Sequence, residues 1–169
     1  MAAGGFVVRN WDSIPILAGA MKFSSVSINV AEALALREAL IWAKRRNWRH
    51  VWVEGDSKLV LDAICGACDV PWNLKPVIED IKSCANSFQG IRWSHIFREA
   101  NFIADALASI SLNSSNLCIW EACLPIDAHL PFQFDCEVTS SERGYIRWSS
   151  SATIALLLGT RQSPSDFTG

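Results

Sequence analysis

Three carboxylates, Glu32, Asp56 and Asp105, stand where a carboxylate could do more than keep a surface wet. At about 100° per residue, Glu32 falls in the middle of an apolar helical arc made by Ala35, Leu36, Ala39, Leu40 and Ala43, with Arg37, Glu38, Lys44 and Arg45 mostly opposite. An acid aimed at the core side costs free energy unless it meets a metal, a cation or several donors. The plainer reading is a first-turn residue satisfied by the helix dipole and water. Asp56 follows the strand-like run HVWV, at the end of a strand where open α/β sheets place their ligand sites. With Ser57 it also makes an N-cap pair, but capping needs only one of the two. Asp105 points away from Phe102, Ile103, Ala106 and Ile110 on the last helical pattern, and taken alone reads as a solvated aspartate.

The other reactive side chains read more simply. Lys44, Arg45, Arg46 and Arg49 could touch phosphates, yet cations at the end of a helix are also what its dipole favours. His95 could move a proton, but it sits inside a predicted strand, which favours a structural role. Cys65 and Cys68 form a C-x-x-C pair with no second pair or His couplet at zinc spacing, and with no thioredoxin-like surroundings. All six cysteines, with Cys84, Cys118, Cys123 and Cys136, therefore read as free thiols.

The elements that must hold these groups are legible from periodicity. Residues 4–11 and 15–23 read as two strands joined at Asp12-Ser13. Val30 to Arg46 reads as a helix rich in Ala and Leu, followed by HVWV at 50–53. A helix from Lys58 to about Gly66 starts behind Asp56-Ser57, and another from Lys75 to Phe88 opens at Pro76. IRWSHIF at 91–97 is a strand, and 100–112 a last helix. The order β-β-α-β-α-α-β-α predicts an α/β fold, a mixed sheet flanked by helices. Beyond Asn113, Ser, Pro and isolated aromatics without a period predict a loosely ordered tail over 113–169.

Composition narrows the class. With 169 residues, half of them apolar, one domain with a proper core plus a tail is expected. A net charge of −2 gives no global positive field, so nucleic-acid binding has to be local. The longest late apolar run, Ile154 to Leu158, is far below the ~20 residues of a membrane span, so no membrane partner is expected. No targeting segment is evident, which leaves cytoplasm or nucleus as the default, and a monomer is expected.

The stretches AEALALREAL (31–40), VEGDSKLVLDAI (53–64) and REANFIADALA (98–108) resemble, in order and spacing, the type 1 ribonuclease H domains of plant retrotransposon-derived proteins. The resemblance runs from Gly5 to about Leu112, so that 1–112 is expected to be the ribonuclease H-like domain. It implies that Glu32, Asp56 and Asp105 are catalytic residues and Mg²⁺ ligands. Two such ions would activate a water and stabilise the leaving oxygen as RNA is cut within an RNA–DNA hybrid. It implies recognition of the hybrid by shape, phosphates and 2′-hydroxyls, with Asn29, Ser57 and Asn101 as nucleic-acid contacts. The alternatives are a non-catalytic hybrid or nucleic-acid binder and an inactive mobile-element remnant.

The resemblance also implies a strand bearing Asp-Gly a short way upstream of Gly4-Gly5, at the middle of the sheet between the second and fourth strands. This chain starts at Met1, so the expectation is a fold lacking its first, central strand and, with it, one of four carboxylates. Cleavage is then expected to be impaired, with the two-metal site incompletely formed. Two strand edges would also stand unpaired unless Gly144–Ser149 or Ala152–Leu158 of the tail fills the slot.

Overall fold

The computed structural model describes residues 2–10, 12–97, 101–112, 117–140 and 153–162. Strands β1 (Ala2–Arg9) and β2 (Pro15–Phe23) form an antiparallel hairpin. Asn10 builds its turn: its carbonyl accepts from the Ser13 amide at 3.0 Å and its side chain from the Ile14 amide at 2.9 Å. Helix α1 (Ile28–Arg45) starts on Ser27, whose hydroxyl accepts from the Val30 amide at 3.4 Å, and carries Lys44 and Arg45 in its last turn. Both ends match what orphan amides and the dipole require.

Strand β3 (His50–Gly55) leads into α2 (Lys58–Cys65), which Ser57 caps and Gly66 ends at φ 73°, a left-handed conformation that glycine adopts without strain. Helix α3 (Lys75–Ala85) has Pro76 in its first turn and stops short of the expected Phe88. Strand β4 (Gly90–His95) and helix α4 (Phe102–Leu112) complete the predicted order. Past 113, where composition alone predicts loose order, the chain forms β5 (Cys118–Glu121), a single 3-10 turn at Ile126–Ala128, α5 (His129–Ser140) and β6 (Thr153–Gln162).

The sheet runs β4-β3-β6-β1-β2-β5. Strand β6 lies antiparallel to β1, from Ala2↔Gln162 to Arg9↔Ala155, and parallel to β3, from His50↔Thr153 to Gly55↔Leu158. The slot that was expected to be empty unless the tail filled it, between β1 and β3, is filled from the far end of the chain. Of the two candidate tail segments, the one around Ala152–Leu158 contributes the strand, and Gly144–Ser149 lies outside the described residues. The physical reason is backbone pairing, since two facing rows of N–H and C=O groups inside a protein need partners, and a run rich in Leu, Ile and Thr is suited to extended structure.

Each face of the sheet has its own core. Phe6 and Val8 of β1 and Val51 and Val53 of β3 pack with Leu36 and Leu40 of α1, Val60 of α2 and Ile78 and Ile81 of α3. On the opposite face Val7, Ala18 and Ala20 pack with Ile103 and Leu107 of α4 and with Leu124 and Ala128. Helices α1 and α4 thus approach the central strands from opposite sides. No helix among the described residues is long and apolar enough to cross a membrane.

Candidate functional site

Asp56 stands one residue beyond β3, at the sheet end where Gly55 is flanked by His95 of β4 and Leu158 of β6. Ser57 alone does the capping, its hydroxyl accepting from the Val60 amide at 3.3 Å. That leaves the Asp56 carboxylate to interact with Glu32, with which it shares a side-chain hydrogen bond. Glu32 is only 3% exposed on the core side of α1, and its Oε1 accepts from the Ser57 amide at 3.0 Å. The Ser57 hydroxyl is also 3.3 Å from Asn29 Oδ1, so the first turn of α1 is tied to the start of α2 through one serine.

Burial pushes the Glu32 carboxyl up to about 8, and the charge of Asp56 adds to it. The Asp56 hydrogen bond and the Asp105 charge act in the same direction, while the Ser57 amide opposes them. At neutral pH Glu32 therefore keeps its proton, as expected where like carboxylates share a dry site. Asp105 is 9% exposed rather than the solvated aspartate its helical position alone predicts, because α4 lies directly against β1. Asn101 is fully buried, and its carbonyl accepts from the Asp105 amide at 3.3 Å.

The three acids thus gather from α1, the end of β3 and α4. Glu32 is within electrostatic reach of both Asp56 and Asp105, yet among the described residues no group of three or more His, Cys, Asp or Glu is drawn together as a ready metal cage. The donor set is nonetheless all carboxylate oxygen, the hard chemistry that magnesium accepts, and the proton on Glu32 is one that a divalent cation would displace.

The remaining candidates fall outside this cluster or at its edge. His95 ends β4 with its Nε2 at 3.2 Å from the Asp56 carbonyl oxygen, so it touches the backbone of the site. The basic end of α1 is partly engaged within the chain: Arg46 pairs with Glu121 at 2.6 Å and Arg45 lies over the Trp42 ring at 5.4 Å. Cys65, Cys68, Cys84 and Cys123 are free thiols.

One polar pair has no counterpart in the sequence reading. Arg9 and Glu54, on strands separated by β6, form a buried ion pair at 3.4 Å. The available signal was a charged residue at the end of each of two apolar strands, FVVR and HVWVEG.

Comparison with known proteins agrees with this architecture. A family described as reverse transcriptase-like matches residues 1–111. The structure is similar to a ribonuclease H1 from the halophilic archaeon Halobacterium salinarum, with a TM-score of 0.64 and 28% identity over 67% of this chain and 86% of that one. It also resembles in fold the N-terminal ribonuclease H domain of a Mycobacterium tuberculosis protein, solved as a fusion with maltose-binding protein. There the TM-score is 0.52 and the identity 22%, over 66% of this chain and 92% of that one. No curated protein sequence matches. A mixed sheet with helices on both faces, a family match over residues 1–111 and likeness to ribonuclease H structures agree, and the chain belongs to the reverse transcriptase-like family with a ribonuclease H fold.

Proposed function

We propose that residues 1–112, completed by strand β6, form a ribonuclease H domain that takes RNA–DNA hybrids, with endonucleolytic cleavage of the RNA strand as its parent activity and with that activity weakened in this chain. The observation that carries the reading is that Asp56 and Asp105 both act on the buried Glu32, beside a central strand, TIALLLGTRQ, that contains no acidic residue. Glu32, Asp56 and Asp105 would hold Mg²⁺. When bound, the metal supplies charge stabilisation on the phosphodiester and lowers the pKa of an attacking water. Three carboxylates must then do the work for which the family resemblance implies four, which is the reason for expecting weak turnover.

The protein's own residues have definable parts in this reading. Ser57 holds the Glu32 carboxyl through its amide and steadies Asn29 through its hydroxyl. Asn29 and Ser57, at the rim of the acids, are the proposed contacts to the hybrid. Asn101 is fully buried, so its proposed contribution is to hold the start of α4 and thereby Asp105. The plant retrotransposon-derived affiliation rests on the three sequence motifs alone.

A second reading, hybrid binding without turnover, is favoured by the raised affinity of Glu32 for its proton, which leaves the cluster short of one negative charge at neutral pH. A labelled hybrid incubated with Mg²⁺ or Mn²⁺ separates the two. The chain is compared with Glu32→Gln and with a chain extended upstream by an aspartate-bearing strand. Slow cleavage that Glu32→Gln abolishes supports a weakened nuclease, and full-rate cleavage would overturn the weakening. Retention of the hybrid on a filter without cleavage by any of the three supports the binding reading. Neither cleavage nor retention would overturn both.

A further inference from the structure

Gly4 and Gly5 lie next to each other in β1, a strand otherwise built of side chains that pack into the sheet's two faces. Successive residues of a strand face opposite sides, so these two address different helices. A Cβ placed on Gly4 would stand 2.9 Å from the Ala35 Cβ and 3.1 Å from the Ala31 carbonyl oxygen, both on α1. One placed on Gly5 would stand 2.6 Å from the Ala104 carbonyl oxygen, 2.8 Å from the Ala108 amide nitrogen and 2.9 Å from the Leu107 Cβ, all on α4. Three of these five atoms are helix backbone, which cannot swing aside as a side chain tip can. A methyl group at either place therefore has to move a helix.

Two of the residues at those contacts, one on each helix, are immediate neighbours of the acids. Ala31 precedes Glu32, and Ala104 precedes Asp105. We propose that Gly4 and Gly5 are positioning residues for the carboxylate site, Gly4 seating α1 and with it Glu32, and Gly5 seating α4 and with it Asp105, on the two faces of one strand. Strand glycines mark close backbone approach in general. Here the approach occurs on both faces at consecutive residues, and on each face one of the contacts lies one residue before a site acid. An independent mark of correct seating is the 3.0 Å bond from the Ser57 amide to Glu32 Oε1, which spans from α1 to the start of α2 and breaks if α1 lifts.

This inference rests on the carboxylate-site reading above, and its test reads seating with and without metal. The variants are Gly4→Ala, Gly5→Ala, Gly4→Ala with Ala35→Gly, and Gly19→Ala, where the added Cβ would run into the Phe6 ring instead of α1 or α4. Gly19→Ala is the control for lost stability alone. Without metal, Gly4→Ala is expected to speed hydrogen exchange at the Ser57 amide on the order of tenfold beyond Gly19→Ala, as loss of one such bond implies, and Ala35→Gly to restore the protection. Gly5→Ala is expected to leave the Ser57 amide protected and to weaken Mn²⁺ binding more than Gly19→Ala does. If Gly4→Ala does not fold, Ala35→Ser crowds the same contact by a smaller step and is expected to act in the same direction.

Exchange at Ser57 and Mn²⁺ affinity that follow melting temperature alike in all variants would overturn the proposal. A wild-type chain that binds no Mn²⁺ but loses Ser57 protection in Gly4→Ala would sink the metal reading and keep the seating of α1.

Discussion

The amide of Ser57 donates to Oε1 of Glu32 at 3.0 Å, so the residue that caps α2 also holds the buried acid of α1. Through this bond the end of β3 and the first turn of α1 form one unit, with the Asp56 carboxylate against Glu32. Four expectations rest on that unit and on the strand beside it.

Stability without metal should fall as pH rises. Glu32 has its folded value pushed up to about 8 from an ordinary 4.5, chiefly by burial and then by Asp56. The folded state therefore holds a proton that the unfolded state has lost. The contribution is fully present below about pH 4.5 and is lost as pH rises through about 8. Melting curves in EDTA between pH 5 and pH 9 should show this decline, and Glu32→Gln, which keeps an acceptor for the Ser57 amide, should flatten it. An equal slope in both proteins would show that Glu32 is not its source.

Divalent cations should compete with that same proton. Mn²⁺ or Mg²⁺ is expected to bind more tightly at pH 8.5 than at pH 6.5 and to release protons on binding. Titration calorimetry in two buffers of different ionisation enthalpy measures the release directly. Asp56→Asn and Asp105→Asn should each weaken the binding. Proton release near zero at pH 7 would argue against Glu32 as a ligand.

The Arg9–Glu54 pair should matter to stability out of proportion to its length. Both side chains are buried, at 3.4 Å across β6. Glu54→Leu takes the counter-charge from the buried Arg9 guanidinium and should cost about 3–5 kcal/mol, and Arg9→Met should also destabilise. Replacing both together should recover most of the loss, because neither charge then has to be desolvated. Denaturant melts of the three variants check this, and additive losses in the double variant would refute the coupling.

Strand β6 should be required for the fold. Its Leu156 pairs with Val8 on one side and Val53 on the other. Leu156→Pro removes a ladder hydrogen bond at a place where proline is not tolerated in a sheet. The expected outcome is loss of a cooperative melt and appearance of oligomers by size-exclusion chromatography, through the opened edges of β1 and β3. A monomer with the wild-type melting temperature would show that β6 is dispensable.

Much of this protein was determined by local sequence. The apolar period of 28–45 with an acid inside it, Ser57 ahead of an apolar helix, Pro76 at a first turn and Gly66 at a helix end each specify their element through short-range sterics and capping. The same patterns marked Glu32 and Asp56, and the order of three motifs marked Asp105. Tertiary structure decided what no local pattern can carry. Whether Asp105 is solvated or buried depends on how closely α4 meets β1, and that distance is set by the missing side chain of Gly5 on another element. The proton on Glu32 depends on neighbours 24 and 73 residues along the chain, Asp56 and Asp105. The central strand was decided last of all, because pairing across a sheet is a long-range choice: a tail segment whose composition read as loosely ordered becomes β6 only where two open strand edges offer it partners on both sides.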